Sequence, residues 1–337
     1  GRVALRVEEV RHEAVEARSL VDGVLSPRKS LVVAGKDFDF PPVTEYDLQC
    51  LRFAAQAGFD YVGVSYVRTG SDIEAVRRAI QRERESTELG VLAKIETRRG
   101  VENLKEIAER ADGLVVARGD LGMHFPLEEI PRLQRRIIGV ACKHLLPSIV
   151  ATQLLESMTQ NPVPTRSEVV DVTQAVVDGA DALMLTSETA HGRHPIAAVR
   201  WLRRIIRAAE REKVVPRREP SGTLPERFAY GVVSLAESLQ AIIAVYTRSG
   251  LTARRIASLR PRVPFYTGSC NASVRRRLAI LWGVRPIPVT AESYEEGIRE
   301  LLRELQTHGY VRYGNTVVLT YGITTGVEHT IRILQIE

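Results

Sequence analysis

Cysteine, lysine and long apolar runs are all scarce in this 337-residue chain. The three cysteines, Cys50, Cys142 and Cys270, are far apart, which argues against a disulfide framework and against a metal site built from cysteine. The apolar runs are far shorter than the roughly 20 residues of a membrane span. The first ten residues lack the apolar core of a signal peptide. We therefore expect a cytoplasmic protein with no membrane partner.

Lysine supplies only six of the 47 basic residues, and arginine supplies the rest. The net charge of +6 permits nucleic-acid binding, but a site for phosphorylated small molecules explains it equally well. The triplet Arg275-Arg276-Arg277 is typical of a solvated helix face. We expect no nucleic-acid partner, and a lysine at the end of a strand stands out in such a chain.

From residue 59, short apolar runs alternate with amphipathic stretches of helical period, which predicts five βα units around a buried parallel sheet. The predicted strands are 61–66, 91–95, 114–117, 148–151 and 182–185. The predicted helices are 71–84, 100–110, 128–145, 169–178 and 195–211, and an earlier helix at 45–56 has Thr44 as its cap.

The rest of the chain divides around these units. Residues 1–33 alternate like a β-hairpin, with a turn expected at 22–23 and a basic loop at 26–30. We assign 34–212 to a first α/β domain, 213–226 to a linker and 227–337 to a second α/β domain. The predicted helices of the second domain are 228–240, 252–259, 272–282 and 294–307, and its strands are 241–246, 263–266, 286–289, 316–320 and 330–336.

Each of the first five predicted strands ends in a polar cluster. The clusters are 65–68, 94–96, 118–120, 152–153 and 186–188. In parallel α/β folds the carboxyl ends of the strands share one edge, where active sites gather. One polar strand end is usually a cap, but five in register predict a concave polar surface.

Lys94 and Glu96 are two residues apart on a strand, so both point to the same face. Burying them costs desolvation energy unless something charged binds there, although a simple ion pair remains the alternative. Asp120 follows the next strand, and two carboxylates suit a hard divalent cation such as Mg²⁺. Lys94 would then be a point charge opposite an anionic substrate.

Gly119 and the residues after it expose backbone N–H groups that suit a carboxylate or a phosphate. Thr152 offers a hydroxyl that can hold an anion or a proton-relaying water. A metal, an ammonium, amide groups and a hydroxyl together suit the enolate of a metal-chelated α-keto acid, whose developing charge the lysine neutralises.

Several stretches resemble the pyruvate kinase family, in the right order over nearly the whole chain. They are AKIETRRGVENLKEI, ADGLVVARGDLGM, IVATQLLESM, PTRSEVVDVTQAVVDGADALMLTSETAHGRHP and YTRSGLTARRIASLRPRVP. The resemblance implies an α/β fold with a TIM-type (β/α)8 barrel, a small β lid domain, a C-terminal α/β regulatory domain and a homotetramer. It also implies phosphoryl transfer from phosphoenolpyruvate to ADP, giving pyruvate and ATP through a metal-bound enolate.

The resemblance also implies a role for each candidate residue. Lys94 would stabilise the transferring phosphoryl group and the enolate, while Glu96 and Asp120 would hold Mg²⁺ or Mn²⁺. The backbone amides of Gly119 and Asp120 would grip the substrate carboxylate. Thr152 would lie near the enolate carbon and position the substrate or a proton-donating water.

The resembled barrel has eight βα units, and five are found here with a remnant of the lid domain. We therefore expect this chain to be a fragment that is inactive when purified alone. The ligands of any K⁺ and most ADP contacts are expected in the part that precedes Gly1.

Thr247, Ser249, Gly250 and Thr252 come just before a predicted helix, which indicates either a phosphate site or an ordinary capping loop. In the resembled family this loop binds the phosphate of an allosteric sugar phosphate. The partner loop at 320–326, TYGITTG, lacks the family's usual tryptophan and basic residues. We therefore expect a phosphometabolite effector other than fructose 1,6-bisphosphate.

Two other interpretations stay open. A Mg²⁺-dependent pyruvate-enolate aldolase or lyase would share the metal and the amide groups but not the second domain, and assays of ATP formation and aldol cleavage separate the two. A catalytically inactive protein that binds RNA or a metabolite through its arginines would show salt-dependent RNA binding without metal binding.

Overall fold

The computed structural model describes residues 3–25, 31–33, 36, 38–82, 89–211, 222–322 and 328–337. The chain forms two compact units, residues 1–36 and 37–337. The predicted basic loop at 26–30, most of the predicted linker and part of the loop at 320–326 lie outside the described residues. No helix in the described ranges is long and apolar enough to cross a membrane. The domain boundaries stay a prediction.

The first unit contains the predicted β-hairpin, but its turn lies elsewhere. Strands β1 (Leu5–Val10) and β2 (Val15–Ser19) pair antiparallel. The turn lies between them, where the N–H of Arg11 donates to the carbonyl of Ala14 over 2.8 Å. The predicted turn at 22–23 follows β2 instead, because its Asp-Gly signal marks the end of a strand rather than a hairpin loop. Every residue of both strands is exposed, so the alternation marks no buried face within this unit.

The second unit begins with a parallel sheet, which we call the N-terminal sheet. In the described residues it has five strands, which follow one another in chain order. They are β3 (Tyr61–Val64), β4 (Gly90–Ile95), β5 (Gly113–Ala117), β6 (Ser148–Ala151) and β7 (Ala182–Met184). Short, nearly continuous apolar runs are typical of parallel strands that are covered on both faces. All five predicted strands are confirmed, with ends that shift by at most two residues.

Helices flank this sheet, as its βα pattern predicts. They are α1 (Glu45–Gln56), α2 (Gly70–Arg82), α3 (Arg98–Glu102), α4 (Leu104–Arg110), α5 (Arg118–His124), α6 (Ile130–Lys143), α7 (Arg166–Val177), α8 (Ser187–Ala190) and α9 (Pro195–Arg211), with 3-10 turns at Leu127–Glu129 and Glu156–Thr159. The predicted Thr44 cap is confirmed, since Thr44 and Asp47 form a reciprocal capping box. The single helix predicted at 100–110 is interrupted at Asn103, whose side-chain amide donates to the carbonyl of Arg68 at 2.9 Å.

The two faces of the N-terminal sheet differ in what they bury. The face under the helices forms a large apolar core that includes the fully buried Ile73, Ile107 and Ile137. On the other face Val115 and Ile149 form a small apolar cluster. Leu92 packs against this cluster, and by the two-residue period of β4 the side chains at 94 and 96 follow it on the same face. Charged groups therefore lie at the end of an otherwise apolar inner surface.

Residues 224–335 form the C-terminal α/β domain. Its elements are α10 (Leu224–Ser238), β8 (Ile242–Tyr246), α11 (Leu251–Ser258), β9 (Phe265–Ser269), α12 (Ala272–Leu278), β10 (Val284–Pro288), α13 (Tyr294–Thr307), β11 (Thr316–Gly322) and β12 (His329–Gln335). The C-terminal sheet has the order β10-β9-β8-β11-β12 in the described residues, and β12 alone among these strands runs antiparallel. The predicted elements are confirmed, with boundaries that move by a few residues.

A buried ion pair joins the two sheets. Nη1 of Arg260 lies 2.6 Å from Oδ1 of Asp181, and the two side chains are only 7% and 3% exposed. The other carboxylate oxygen of Asp181 accepts hydrogen bonds from the backbone N–H and the hydroxyl of Ser148, at the beginning of β6. The amino ends of β6 and β7 are therefore fixed to the C-terminal domain.

Candidate active site

The predicted pair Lys94 and Glu96 lies at the carboxyl end of β4. Nζ of Lys94 is 2.7 Å from Oε1 of Glu96, whose side chain is 1% exposed, against 28% for Lys94. From the end of β3, the N–H of Tyr66 donates to Oε2 of Glu96 at 2.7 Å, and the hydroxyl of Ser65 accepts from Nζ of Lys94 at 2.8 Å. Burial raises the pKa of Glu96, although Lys94 and the Tyr66 N–H act to lower it. Two strand ends therefore hold one ammonium and one buried carboxyl in fixed positions.

Asp120 brings a second carboxylate close to this pair. After the larger effect of burial, its charge contributes to raising the pKa of both Glu96 and Tyr66. It lies in the first turn of α5, where a negative charge is stabilised by the helix. Within the described part of the chain, no hydrogen bond or ion pair engages its side chain.

The two carboxylates fit the predicted divalent cation in donor chemistry. Hard cations prefer carboxylate oxygens, and an ionised carboxylate offers about four acceptor positions, so Glu96 retains acceptor capacity beside its two contacts. Over the described ranges no group of three or more His, Cys, Asp or Glu side chains comes together. A Mg²⁺ or Mn²⁺ held by Glu96 and Asp120 would therefore need oxygens from substrate and water to complete its shell.

A hydrogen bond joins the ends of β5 and β6. The N–H of Gly119 donates to Oγ1 of Thr152 at 2.7 Å. A Cβ on residue 119 would lie 3.2 Å from that oxygen, so the glycine permits the close approach. The structure thus brings these two predicted residues together, and the Gly119 N–H contacts Thr152 within the protein.

Arg118 supports the end of β6. Its side chain is 6% exposed, donates to the carbonyls of Thr152 (3.0 Å) and Gln153 (2.6 Å), and pairs with Asp171 at 2.7 Å. Thr152 and Gln153 have φ values of +68° and +53°, a left-handed conformation that costs ordinary residues about 1–2 kcal/mol. The guanidinium offsets this strain and fixes where the Thr152 hydroxyl lies.

Four residues with clear roles here, Ser65, Tyr66, Arg118 and Glu188, were assigned no role from the sequence. Glu188 is 1% exposed and accepts from the backbone N–H groups of Leu155 and Thr186, both at 2.9 Å, which links the segments after β6 and β7. All four lie in the polar clusters at the strand ends, and that position was the available signal.

The family model of the pyruvate kinase barrel domain matches residues 1–199, and that of the pyruvate kinase alpha/beta domain matches residues 226–337. The chain belongs to the pyruvate kinase family. It is 42% identical over 325 residues to a pyruvate kinase of Aeropyrum pernix, across 94% of this chain and 70% of that protein. It is 40% identical over 339 residues to a pyruvate kinase of Pyrobaculum aerophilum, across 99% and 70%. The crystal structure of pyruvate kinase from Pyrobaculum aerophilum matches with a TM-score of 0.85 at 38% identity, over 99% of this chain and 72% of that chain.

Family membership confirms the predicted α/β fold, with a pyruvate kinase barrel domain followed by a C-terminal α/β domain. It supports a phosphotransferase of the glycolytic pyruvate kinase type. It favours neither the aldolase or lyase nor the inactive binding protein.

Three of the predicted effector residues of this pyruvate kinase family member, Thr247, Ser249 and Gly250, lie between β8 and α11, and Thr252 lies in the first turn of α11. Thr247 and Thr252 are 3% and 7% exposed, and Oγ1 of Thr247 accepts from the N–H of Gly250 at 2.9 Å. Gly250 has φ +83°, which glycine adopts readily. Ser249 is exposed. The loop is thus stabilised by its own capping bond, and its effector role stays a prediction.

Proposed function

We propose that this chain carries the phosphoryl-transfer site of a pyruvate kinase, which converts phosphoenolpyruvate and ADP to pyruvate and ATP. The Lys94–Glu96 pair beside Asp120, at the carboxyl end of β4, is the observation that carries the proposal. Family membership supports the same reaction.

Lys94 is the group that meets the negative charge of the substrate. Its ammonium is partly exposed, while Glu96 and Ser65 fix its position, so the positive charge is in place before the reaction begins. Preorganised charge of this kind stabilises the charge that develops on the phosphoryl group and on the enolate oxygen. Glu96 and Asp120 would hold Mg²⁺ or Mn²⁺, and the bound cation would supply further neutralisation of substrate oxygens.

Thr152 is the residue that we propose to position the substrate or the water that donates a proton to the enolate. Its oxygen accepts from the N–H of Gly119, so its own O–H remains available to donate to substrate or to water. Since Thr152 engages the Gly119 amide, the Asp120 amide is the remaining backbone donor that we propose for the substrate carboxylate. We also propose that the protein binds ADP, assembles as a homotetramer and binds a phosphometabolite effector.

The proposal is tested with Asp120→Ala in the protein encoded by the complete reading frame. We expect ATP formation from phosphoenolpyruvate and ADP to be abolished, because the variant loses one of two metal-binding carboxylates. Circular dichroism is expected to show an intact fold. The control is Glu109→Gln, which removes a half-exposed acid on α4 and should leave turnover unchanged. Full activity of Asp120→Ala, or aldol cleavage in place of ATP formation by the wild type, would contradict the proposal.

Metal binding can be measured without turnover. Electron paramagnetic resonance titration of Mn²⁺ into the purified 337-residue chain should show binding that Asp120→Ala weakens by about tenfold or more. The same chain is expected to have no appreciable turnover alone, and ATP formation by it would refute that expectation.

A further inference from the structure

A small polar cavity lies in the C-terminal domain, at the opposite end of β3 from the candidate active site. Its volume is about 150 Å³, and its polar lining comes from Ser249, Arg254, Asn271, Ser273 and Arg277. The apolar part of its wall consists of Val274 and Leu278. Among the described residues, no acidic side chain lines it.

The described residues provide no carboxylate partner for the positive charge in the cavity. Arg254 and Arg277 make no ion pair there, and Nε of Arg277 is buried with no hydrogen-bond partner. Guanidinium groups bind carboxylate and phosphate oxygens, so two of them that meet no acidic side chain in one cavity suit an anionic ligand. Both arginines act to lower the pKa of Tyr61, against the larger raising effect of burial.

Arg277 differs from its two neighbours in the triplet that the sequence assigns to a solvated face. Arg275 donates to the carbonyl of Ser269 at 2.6 Å, and Arg276 pairs with Asp60 at 2.7 Å. The guanidinium of Arg277 instead lies over the ring of Tyr61, 5.8 Å from its centre. The solvated-face prediction is therefore wrong for Arg277, because the packing of α12 against the beginning of β3 turns this residue inward.

Side chains rather than backbone groups would recognise a ligand here. The N–H groups of Ser273 and Val274 already donate to Oδ1 of Asn271, at 2.8 and 3.2 Å. Two guanidinium groups and two hydroxyls remain, which is the donor set that binds phosphate oxygens in pairs. The volume equals that of about five water molecules, which is room for one phosphoryl group.

We propose that this cavity binds a phosphoryl group, as free phosphate or as the phosphate end of a small metabolite, through Arg254, Arg277 and Ser273. The site adjoins the predicted effector loop: the two share Ser249, and a Cβ built on Gly250 would lie 3.2 Å from Leu278 and 3.4 Å from Val274 of the cavity wall. Thr252 of that loop faces the end of β11, since its Oγ1 would be 3.1 Å from a Cβ built on Gly322.

Isothermal titration calorimetry of inorganic phosphate into the purified chain, at constant ionic strength, tests the proposal. We expect saturable binding that Arg277→Gln and Arg254→Gln each weaken at least about tenfold, because each removes a charge-assisted hydrogen bond. Arg276→Gln is the matched control, since it removes the same charge from the same helix outside the cavity. It should change the dissociation constant by less than about twofold.

Two further measurements keep the test decisive if an arginine variant folds poorly. Ser273→Asp places a carboxylate in the cavity and should abolish binding, with circular dichroism as the check on folding. Glycerol 3-phosphate binding more tightly than phosphate, with the same dependence on Arg277, would identify the phosphate end of a metabolite as the ligand, while weaker binding would identify free phosphate.

Three outcomes would overturn the proposal. One is no saturable binding up to about 10 mM phosphate. Another is an equal loss in Arg276→Gln and Arg277→Gln, which indicates a general basic surface. The third is binding that Thr252→Ala abolishes and Arg277→Gln leaves intact, which places the phosphate in the effector loop. Because the readout is binding, these outcomes are independent of the catalytic proposal.

Discussion

The N-terminal and C-terminal sheets each have five described strands and similar crossovers. They differ in the backbone conformation of the residues that follow the strands. In the N-terminal sheet, Tyr66, Thr152 and Gln153 adopt positive φ within two residues of a strand end. In the C-terminal domain, the described non-glycine residues with positive φ are Gln240 and Arg260, and both follow helices. A left-handed residue commonly ends a helix, whereas one that follows a strand usually has a local purpose.

The same contrast holds for buried polar groups. Glu96, Arg118 and Glu188 are buried where the N-terminal strands end, while the ends of the C-terminal strands bury neutral hydroxyls such as those of Thr247 and Ser269. Backbone strain and buried charge thus occur together at one sheet edge and are missing, among the described residues, from the equivalent edge of the other. Their coincidence marks a site of chemistry more clearly than either feature alone.

Among these variants, the largest effect is expected on kcat, at the strand ends of the N-terminal sheet where the charged groups are buried. Lys94→Met, in the protein of the complete reading frame, should lower kcat by about 10²–10³-fold, since it removes preorganised charge from the site. Steady-state kinetics measure the effect. Lys105→Met is the control, because Lys105 is 82% exposed on α4 and should leave kcat unchanged. A loss below about tenfold would assign Lys94 to structure alone.

The next effect concerns the junction between the two sheets. Asp181→Ala leaves the buried Arg260 without its ion-pair partner and should lower the free energy of unfolding by about 3 kcal/mol. Asp60→Ala removes the more exposed pair with Arg276 and should cost less than about 1 kcal/mol. Urea unfolding monitored by circular dichroism measures both variants. Equal losses of unfolding free energy would show that burying the Asp181–Arg260 pair does not increase the cost of breaking it.

Variants of two glutamines with similar positive φ values distinguish backbone strain after a strand from backbone strain after a helix. Gln153 and Gln240 have φ values of +53° and +50°, and both are exposed. Replacing either with glycine should raise the free energy of unfolding by about 0.5–1 kcal/mol, since glycine adopts this conformation without steric cost. Gln153→Gly alone should also lower kcat, by about tenfold, because it loosens the backbone next to Thr152. Equal kcat values in the two variants would show that strain at the strand end has no catalytic purpose.

The smallest effect is a pH dependence of opposite sign in the two regions. Burial raises the pKa of Glu96, so the folded protein binds that proton more tightly than the unfolded chain does. The resulting stabilisation is present below the ordinary value of 4.5 and is lost as pH rises through the raised pKa. Glu96→Gln should therefore be more stable than wild type at pH 7, with a smaller gain near pH 4.

Glu300 on α13 should behave in the opposite way. Burial alone would raise its pKa, but hydrogen bonds from Thr290 and Ala291 hold it below its ordinary value. Its stabilisation is present above 4.5 and is lost as pH falls through the lowered pKa. Glu300→Gln should therefore lose stability at pH 7 and less near pH 4. Urea titrations at both pH values check the pair of variants, and shifts of the same sign would contradict the assignment.

The sequence predicts what is local and repeated. The strands, the Thr44 cap and the shared face of Lys94 and Glu96 follow from periodicity and spacing within a few residues. The supporting contacts do not, because they join distant positions: Ser65 lies 29 residues from Lys94, and Asp171 lies 53 residues from Arg118. The inward turn of Arg277 likewise depends on tertiary packing, which overrides the pattern of its own helix.

The ammonium of Lys94 has one N–H group that its protein contacts leave available. A lysine ammonium has three N–H groups, arranged tetrahedrally, and Ser65 and Glu96 accept two of them. One N–H is left, and its direction is set by the other two. The guanidinium of an arginine spreads its donors in one plane and cannot reproduce three diverging directions from a single nitrogen. In a chain that has only six lysines among its 47 basic residues, this geometry gives a physical reason for lysine at this position.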